Sequence, residues 1–442
     1  MSSSLRRVMG SGGPILRARR RDCQHIPLTA PAPEDSLLAT MVHRASRVAS
    51  GMLTLILVSF PPPPSEAKER APSSVVVERA KAWTKLFDRT SGWTGADGIY
   101  SIPLSGQETP GAATPTLFVF SDTFIGEVGR DGLRKPGSTL VNNTLALLSP
   151  NQPAPGNIQF FWGKEADGSP RAVFLPATPE TQPGDWYWLE DGLALDGKVH
   201  LFALRMELGD GGAFNFKVAG VARITLPLNS PHPLQDQVQV DTPLYFTSAD
   251  EAYEHVFGGA ILPNTPEAGA PAPDGYVYVY GYRSDLASGK KEAIVARVPP
   301  ADFDSFGAWR FWNGLDWVTE VGDVAPLAGT DWLSSEFSVT PLPDGRFVLV
   351  YQKFGIGQET AVRVGSSPTG PFGSPVTLWN CPEASVDPDI YCYNAKAHPH
   401  LSAPGELLVS YNVNTFDFAD QVYADIYRPR FIRVRLSGIA AP

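Results

Sequence analysis

Charge is scarce in this chain, and cysteine is scarcer. Only 19% of the 442 residues are charged, and three are cysteine. Acids outnumber bases, 46 Asp and Glu against 36 Lys and Arg, for a net charge of −10, and no long basic run occurs. That balance argues against nucleic acid as a partner. Cys23 lies in the basic first part of the chain, and the two that remain, Cys381 and Cys392, are too few ligands for a cysteine-based metal site. No apolar run reaches the length of a membrane-spanning helix, about 20 residues. There is no Gly-x-Ser-x-Gly elbow and no glycine-rich phosphate loop ahead of a helix, so serine-hydrolase and nucleotide chemistry lack their usual local signatures.

What is present points the other way. The chain carries 41 glycines and 42 prolines, and 11% of it is aromatic. A disordered chain would lack those aromatics. Many turn residues between aromatic and β-branched runs describe a turn-rich, mostly β globular protein.

The first part of the chain stands apart. A basic start (His43, Arg44, Arg47), an apolar run from Met52 to Phe60 and the small-x-small pattern Ser65-Glu66-Ala67 are the three parts of a secretory signal peptide. The apolar run is about half of what a membrane span needs. We therefore expect residues 1–71 to be an extension and signal peptide, with Met41 as the true start, and an exported mature protein from residue 72 to 442. Export suits a disulfide between Cys381 and Cys392, which bracket a short Pro/Asp loop, and such a loop would stabilise by roughly 2–3 kcal/mol.

A repeat organises the rest. Aromatic-rich runs recur at 116–123 (TLFVFSDT), 198–205 (KVHLFALR), 276–283 (YVYVYGYR), 346–353 (RFVLVYQK) and 406–413 (ELLVSYNV). Each has a short strand before it and an alternating strand after it, and a fourth strand follows in four cases: IQFFWG, TPLYFTS, WRFWNGLDW and PVTLWN. The fifth unit runs out of chain, and the segment SVVVERAKAWTKLF near the start could supply its missing strand. Five units of four antiparallel strands, the last completed by the N-terminal strand, predict an all-β, five-bladed β-propeller as one domain. Two β-sandwiches are the rival reading.

In a propeller the first strand of each blade lines a central channel, where polar groups distant in sequence converge. Those strands carry Asp97, Glu190, Asp191, Glu336 and the row Asn394, Lys396, His398; Glu254 and His255 lie just upstream of VFGGAIL, and Asp122 ends the aromatic strand of the first unit. Carboxylates crowded in one mouth raise one another's pKa, so one can hold a proton while another stays ionised. A pair of them is the minimum equipment for glycoside hydrolysis. Plainer readings exist: Asp-Gly at 97–98 and 191–192 is also turn chemistry. Trp186, Trp188, Trp312, Trp332 and Tyr393 suit a packed core as well as a stacking floor for sugars, with Trp186 and Trp188 the better stacking candidates. His398 and His400 have strand spacing that would allow a metal, yet no acidic or His partner is adjacent, so no metal site is assigned. Substrate contacts are expected from Asn143, Trp188, Glu190, His255, Asn394, Lys396 and His398. No cofactor is required, although calcium on the axis, touched by His398, stays open.

The stretches DGIYSIPL, LFVFSDTFIGEV, LVNNTLAL, YNAKAHPHLSAPGELLVSYNVN and YRPRFIRVRL resemble a family of secreted bacterial proteins, itself similar to the five-bladed propeller glycoside hydrolases of arabinanase and fructosidase type. Some relatives are endo-D-arabinanases. The resemblance covers roughly residues 75–438. It implies Asp97 as nucleophile or base and Asp122 as the other acid, with Asp191 and Glu336 in support.

Two functions from different classes follow. The first is a secreted, monomeric glycoside hydrolase acting on a polysaccharide or oligosaccharide. The alternative is a non-catalytic propeller that binds carbohydrate or cell wall. A lyase is a third reading.

Overall fold

The computed structural model describes residues 75–439, apart from 210 and 212–214. The expected signal peptide, the start at Met41 and the domain's first residues therefore lie outside the described residues. Among the described residues the protein is all-β, with one short α-helix, Lys81–Leu86.

Seven antiparallel sheets form among the described residues, and the five larger ones, of four or more strands, follow one another along the chain. The first is built from Tyr100–Pro103, Thr116–Phe120, Thr144–Leu148 and Ile158–Phe161. The second orders Trp186–Leu195, Lys198–Leu208, Phe216–Pro227 and Val238–Asp241. The third holds Tyr253–Asn264, Tyr276–Asp285, Lys291–Val298 and Arg310–Trp312, and the fourth Phe337–Pro341, Phe347–Gln352, Glu359–Gly365 and Val376–Asn380. The fifth holds Ile390–Ala397, Glu406–Thr415 and Pro429–Arg435, and Val77–Arg79 pairs antiparallel with the last of these. The strand near the start of the chain thus completes the final sheet. One fourth strand differs from expectation. Tyr245–Thr247, from the run TPLYFTS, pairs with Tyr253–Asn264 of the third sheet, and Val238–Asp241 takes its place in the second.

The aromatic runs are apolar on both faces because both faces are buried. In the first sheet Leu117 and Val119 pack with Leu189, Leu201 and Ile224 of the second, while Phe118 and Phe120 pack with Leu408 and Phe431 of the fifth. The same alternation recurs. Phe202 and Leu204 meet Val277 and Val279, Tyr278 and Tyr280 meet Leu349 and Tyr351, and Val348 and Val350 meet Leu407 and Val409. Each sheet shares one core with the sheet before and another with the sheet after, and the fifth shares one with the first.

This succession brings the opening strand of each sheet beside the next. The fifth and first sheets are joined by polar contacts as well, Ser101 Oγ to His398 Nδ1 at 2.7 Å and Asn412 Nδ2 to the Ala96 carbonyl at 3.1 Å. Contacts between neighbouring opening strands step along in the same order, Asp97 to Tyr393 then Ser101 to His398, and Glu336 to Asn394 then Ser338 to Ala397. The strands therefore share one direction, with their N-terminal ends at one mouth and their C-terminal ends at another.

One glycine shapes the first mouth. Gly98 takes φ of +59°, and a Cβ there would sit 2.6 Å from Ser121 Oγ. Gly98→Ala is expected to cost about 1–3 kcal/mol, combining left-handed backbone and a clash. Urea unfolding of the variant measures it, and an unchanged midpoint would show that the turn has room.

Candidate active site

Asp97 and Asp122 sit side by side on paired backbone. Ser91–Ala96 and Thr123–Glu127 pair antiparallel, and where that ladder hands over to the first sheet the Asp97 N–H donates to the Asp122 carbonyl at 3.1 Å. The Ser121 N–H donates to the Asp97 carbonyl at 3.0 Å. Backbone pairing and Gly98 thus build the turn, and the Asp97 side chain is free for other partners. Its Oδ2 accepts from two phenols, Tyr393 OH and Tyr427 OH, each at 2.8 Å. Its Oδ1 is buried and has no partner among the described residues. Tyr427 reaches Asp97 from a backbone with φ of +74°, a conformation rare for a bulky residue and one that persists where surroundings impose it. Asp122 Oδ1 accepts from the Trp188 indole N–H at 2.9 Å and from Asn142 Nδ2 at 3.2 Å. Both carboxyl residues are partly exposed.

Their electrostatics differ. Burial, then the charges of Asp122 and Glu336, hold Asp97 well above the usual carboxylate range, against the two phenol donors that favour its ion. Burial raises Asp122 to about 6, and the donors Trp188 and Asn142 restrain the rise. The charge of Asp122 acts directly on Asp97, so the two carboxyls do not readily ionise together. The unpartnered Oδ1 points the same way, because an orphaned buried oxygen is costlier on an ion than on a neutral acid. Burial and the orphaned oxygen therefore favour the protonated form of Asp97, while Asp122 is raised with its donors opposing the rise.

Deeper along the axis lies a buried polar layer. The Lys396 ammonium pairs with Glu336 Oε2 and sits 4.0 Å above the Tyr100 ring. Asn394 Nδ2 donates to Glu336 Oε1 at 2.6 Å. The Tyr100 hydroxyl donates to Glu190 Oε2 at 2.8 Å and also lies 3.0 Å from the Gly259 carbonyl. Burial first, then the neighbouring charge of Glu336, push Glu190 well up. A bulge makes this layer possible. Tyr393 pairs with Asn412 and Lys396 with Ser410, so Asn394 and Ala395 together oppose Tyr411, and Asn394 takes φ of +57°. The extra residue lets Tyr393 serve Asp97 while Asn394 and Lys396 both reach Glu336.

With that geometry in view, residues 80–436 match the family described as a domain of unknown function, DUF5005. The chain belongs to the DUF5005 family. No curated protein matches it. Among solved structures, a hydrolase candidate from Bacteroides ovatus shares 20% identity over 85% of this chain and 95% of its own, with a TM-score of 0.62. That is a likeness of fold across nearly the whole of both chains. Far looser are a GH43_1 enzyme from Xanthomonas citri solved with xylose (12% identity, 80% and 92% coverage, TM-score 0.38) and an α-L-arabinofuranosidase from Podospora anserina solved with cellotriose (11%, 78% and 92%, 0.38).

The DUF5005 domain uses several expected site residues elsewhere. Asp191 stands apart from the Asp97–Asp122 pair. Its Oδ1 accepts from the Gly192 N–H at 2.8 Å and its Oδ2 from the Ile261 N–H at 2.7 Å, stapling the second sheet to the third. Asn143 spends its side chain on backbone, donating to the Phe174 and Tyr187 carbonyls and accepting from the Phe174 N–H. Its neighbour Asn142, which the sequence offered only as the start of an Asn-Asn-Thr glycosylation pattern, is the one that meets Asp122. His255 is buried against Phe246 and Tyr253 with Nδ1 3.0 Å from the Val321 carbonyl, and burial lowers it to about 4. His398 follows the end of its strand at Ala397, and its ring nitrogens meet Ser101 Oγ and Ser410 Oγ. Burial first, then the Lys396 and His400 charges, keep it well below the usual range, which suits a neutral tie between sheets.

The expected Cys381–Cys392 disulfide is not formed, and both residues are free, buried thiols. The Cys381 side chain as hydrogen-bond partner, then burial, push the Cys392 thiol far up, and a protonated thiol is a poor nucleophile for disulfide chemistry. Among the described residues no group of three or more His, Cys, Asp or Glu is arranged to hold a metal. Among them, too, no helix is long and apolar enough to cross a membrane.

Proposed function

We propose that this domain is a five-bladed β-propeller glycoside hydrolase, exported and monomeric, acting on a polysaccharide or oligosaccharide. Five sheets sharing five cores in a closed succession support the blade count. The observation that carries the chemistry is the Asp97–Asp122 pair, two adjoining carboxyls with unequal proton affinity beside the Trp188 indole. Protonated Asp97 gives its proton to the leaving glycosidic oxygen, and ionised Asp122 drives attack at the sugar carbon, directly or through water. The electrostatics favour this division over the reverse one that the family resemblance suggests. Trp188 is half-buried, and it meets Trp186 at 6.2 Å and Phe216 at 4.6 Å, both edge-on, so an aromatic cluster stands beside Asp122 where a sugar ring would stack.

Arabinan, fructan and xylan panels test the reading through release of reducing sugar. Retention of glycan without release would make the domain a binding module, and ultraviolet-absorbing unsaturated products would make it a lyase. The role of Trp188 has its own check. Trp188→Phe removes a donor that holds Asp122 down, so the acidic limb of the pH–rate profile is expected to move up, by about one unit at most. A limb that stays in place would separate the indole from Asp122.

A further inference from the structure

The opening strands run on past the acid pair to a second mouth. A cavity of about 140 Å³ lies there, lined by the C-terminal parts of the opening strands and the turns that follow them, and neither Asp97 nor Asp122 lines it. Tyr100 and Lys396 contribute to it from the buried polar layer, and Pro263, Pro271, Pro341 and Pro399 give it stiff apolar walls. About 150 Å³ is enough for a benzene-sized ligand.

Its charge is one-sided. The carboxyl residues Glu108, Asp191 and Glu406 line it, and its one lining Lys or Arg, Lys396, is already paired with Glu336. Asp191 is pinned by two backbone N–H groups, so its position needs no ligand to set it. Glu108 has His400 Nδ1 3.3 Å away. Thr340 adds a second kind of signal. It is only 6% exposed and lines the cavity, yet its hydroxyl has no hydrogen-bond partner among the described residues. The side chain is nine-tenths buried and lines the cavity, so its free hydroxyl is open to a ligand that enters there.

We propose that this second mouth binds a small organic cation, an ammonium or guanidinium group on a short apolar body. The cationic head sits between Asp191 and Glu108 and meets the Thr340 hydroxyl, and the body packs on the prolines. A neutral polyol would leave the carboxylate charge uncompensated, and an anion would be repelled.

The site carries a pH signature. Burial pushes Asp191 up to about 7, the two backbone N–H donors restrain it, Glu108 raises it and Lys396 lowers it. Glu190 and Tyr100 interact with it from the buried layer, and Glu406 also lines the cavity. A cation needs the ionised form, which grows about tenfold between pH 6 and pH 8 for a group titrating near 7.

Calorimetric titration of the full chain with n-butylammonium chloride tests the proposal, with n-butanol and xylose as neutral probes. The expected result is one site of on the order of millimolar affinity at pH 8, about tenfold weaker at pH 6, with no binding of either neutral probe. Asp191→Asn should abolish it and Thr340→Val weaken it several-fold. If the Asn variant does not fold, the near-isosteric Val variant and the pH dependence decide. No heat from n-butylammonium at pH 8, equal binding of a neutral probe, or unchanged affinity in the folded variants would each overturn it. Sugar release by the Asp97–Asp122 pair is read separately, so either proposal can fail without the other.

Discussion

Asp97→Asn is expected to lower turnover by about 10²–10⁴-fold while leaving the fold intact, the loss typical of removing a positioned general acid. The amide is nearly isosteric, and its carbonyl can still accept from Tyr393 and Tyr427. What it lacks is a proton to give. The pH profile separates this role from a structural one. Asp122 rises to about 6 and must be ionised, so the wild-type rate should climb through that pH. Asp97 lies well above the usual range and must be protonated, so the rate should fall only as that proton is lost on the alkaline side. In the Asn variant the alkaline limb should disappear with the activity, while in Asp122→Asn the acidic limb should. Steady-state rates across pH on a released-sugar assay make the measurement. Unchanged turnover in Asp97→Asn would end the assignment.

That pair was only half legible in the sequence. Asp97 and Asp122 were visible as acids where an opening strand begins and an aromatic strand ends. The strands themselves were legible because burial on both faces writes a nearly continuous apolar run, as in TLFVF, and turns punctuate it. Closure was legible for a related reason: the fifth unit lacked a strand and an unpaired β run stood near the start. The proton-tuning partners were hidden. Tyr427 meets Asp97 across 330 residues of chain, and no local pattern announces a contact of that range. The row Asn394, Lys396, His398 assumed strict alternation, which the bulge and the early strand end both break. Asn at the left-handed position was the one hint, since Asn tolerates positive φ better than most residues. Asp191-Gly192 carried the opposite lesson: there the turn-type reading, a carboxyl bonded to nearby backbone, accounts for much of what the side chain does.

Lys396→Met is the variant expected to cost the most stability, about 3–5 kcal/mol at pH 8, because it strands the buried Glu336 carboxylate. Lys396 is 1% exposed and the pair lies inside the axis, so water cannot compensate. The sign of the pH dependence follows from the direction of the shift. Burial already raises Glu336 above its ordinary 4.5, and Lys396 is the largest of the groups holding it down. Without the ammonium its folded pKa rises further. A carboxyl whose folded pKa is raised keeps its stability below the unfolded value and loses it as pH climbs through the folded one. The variant should therefore stand close to wild type near pH 4 and fall away from it towards pH 8. Urea unfolding at both ends of that range tests this, and an equal loss at each would mean that packing, not charge, is what Lys396 supplies. Adding Glu336→Gln to Lys396→Met should recover most of the loss at pH 8, since a neutral amide can still accept from Asn394 and leaves no charge to solvate. Recovery by the double variant would locate the cost in the stranded carboxylate and not in the missing aliphatic stem over Tyr100.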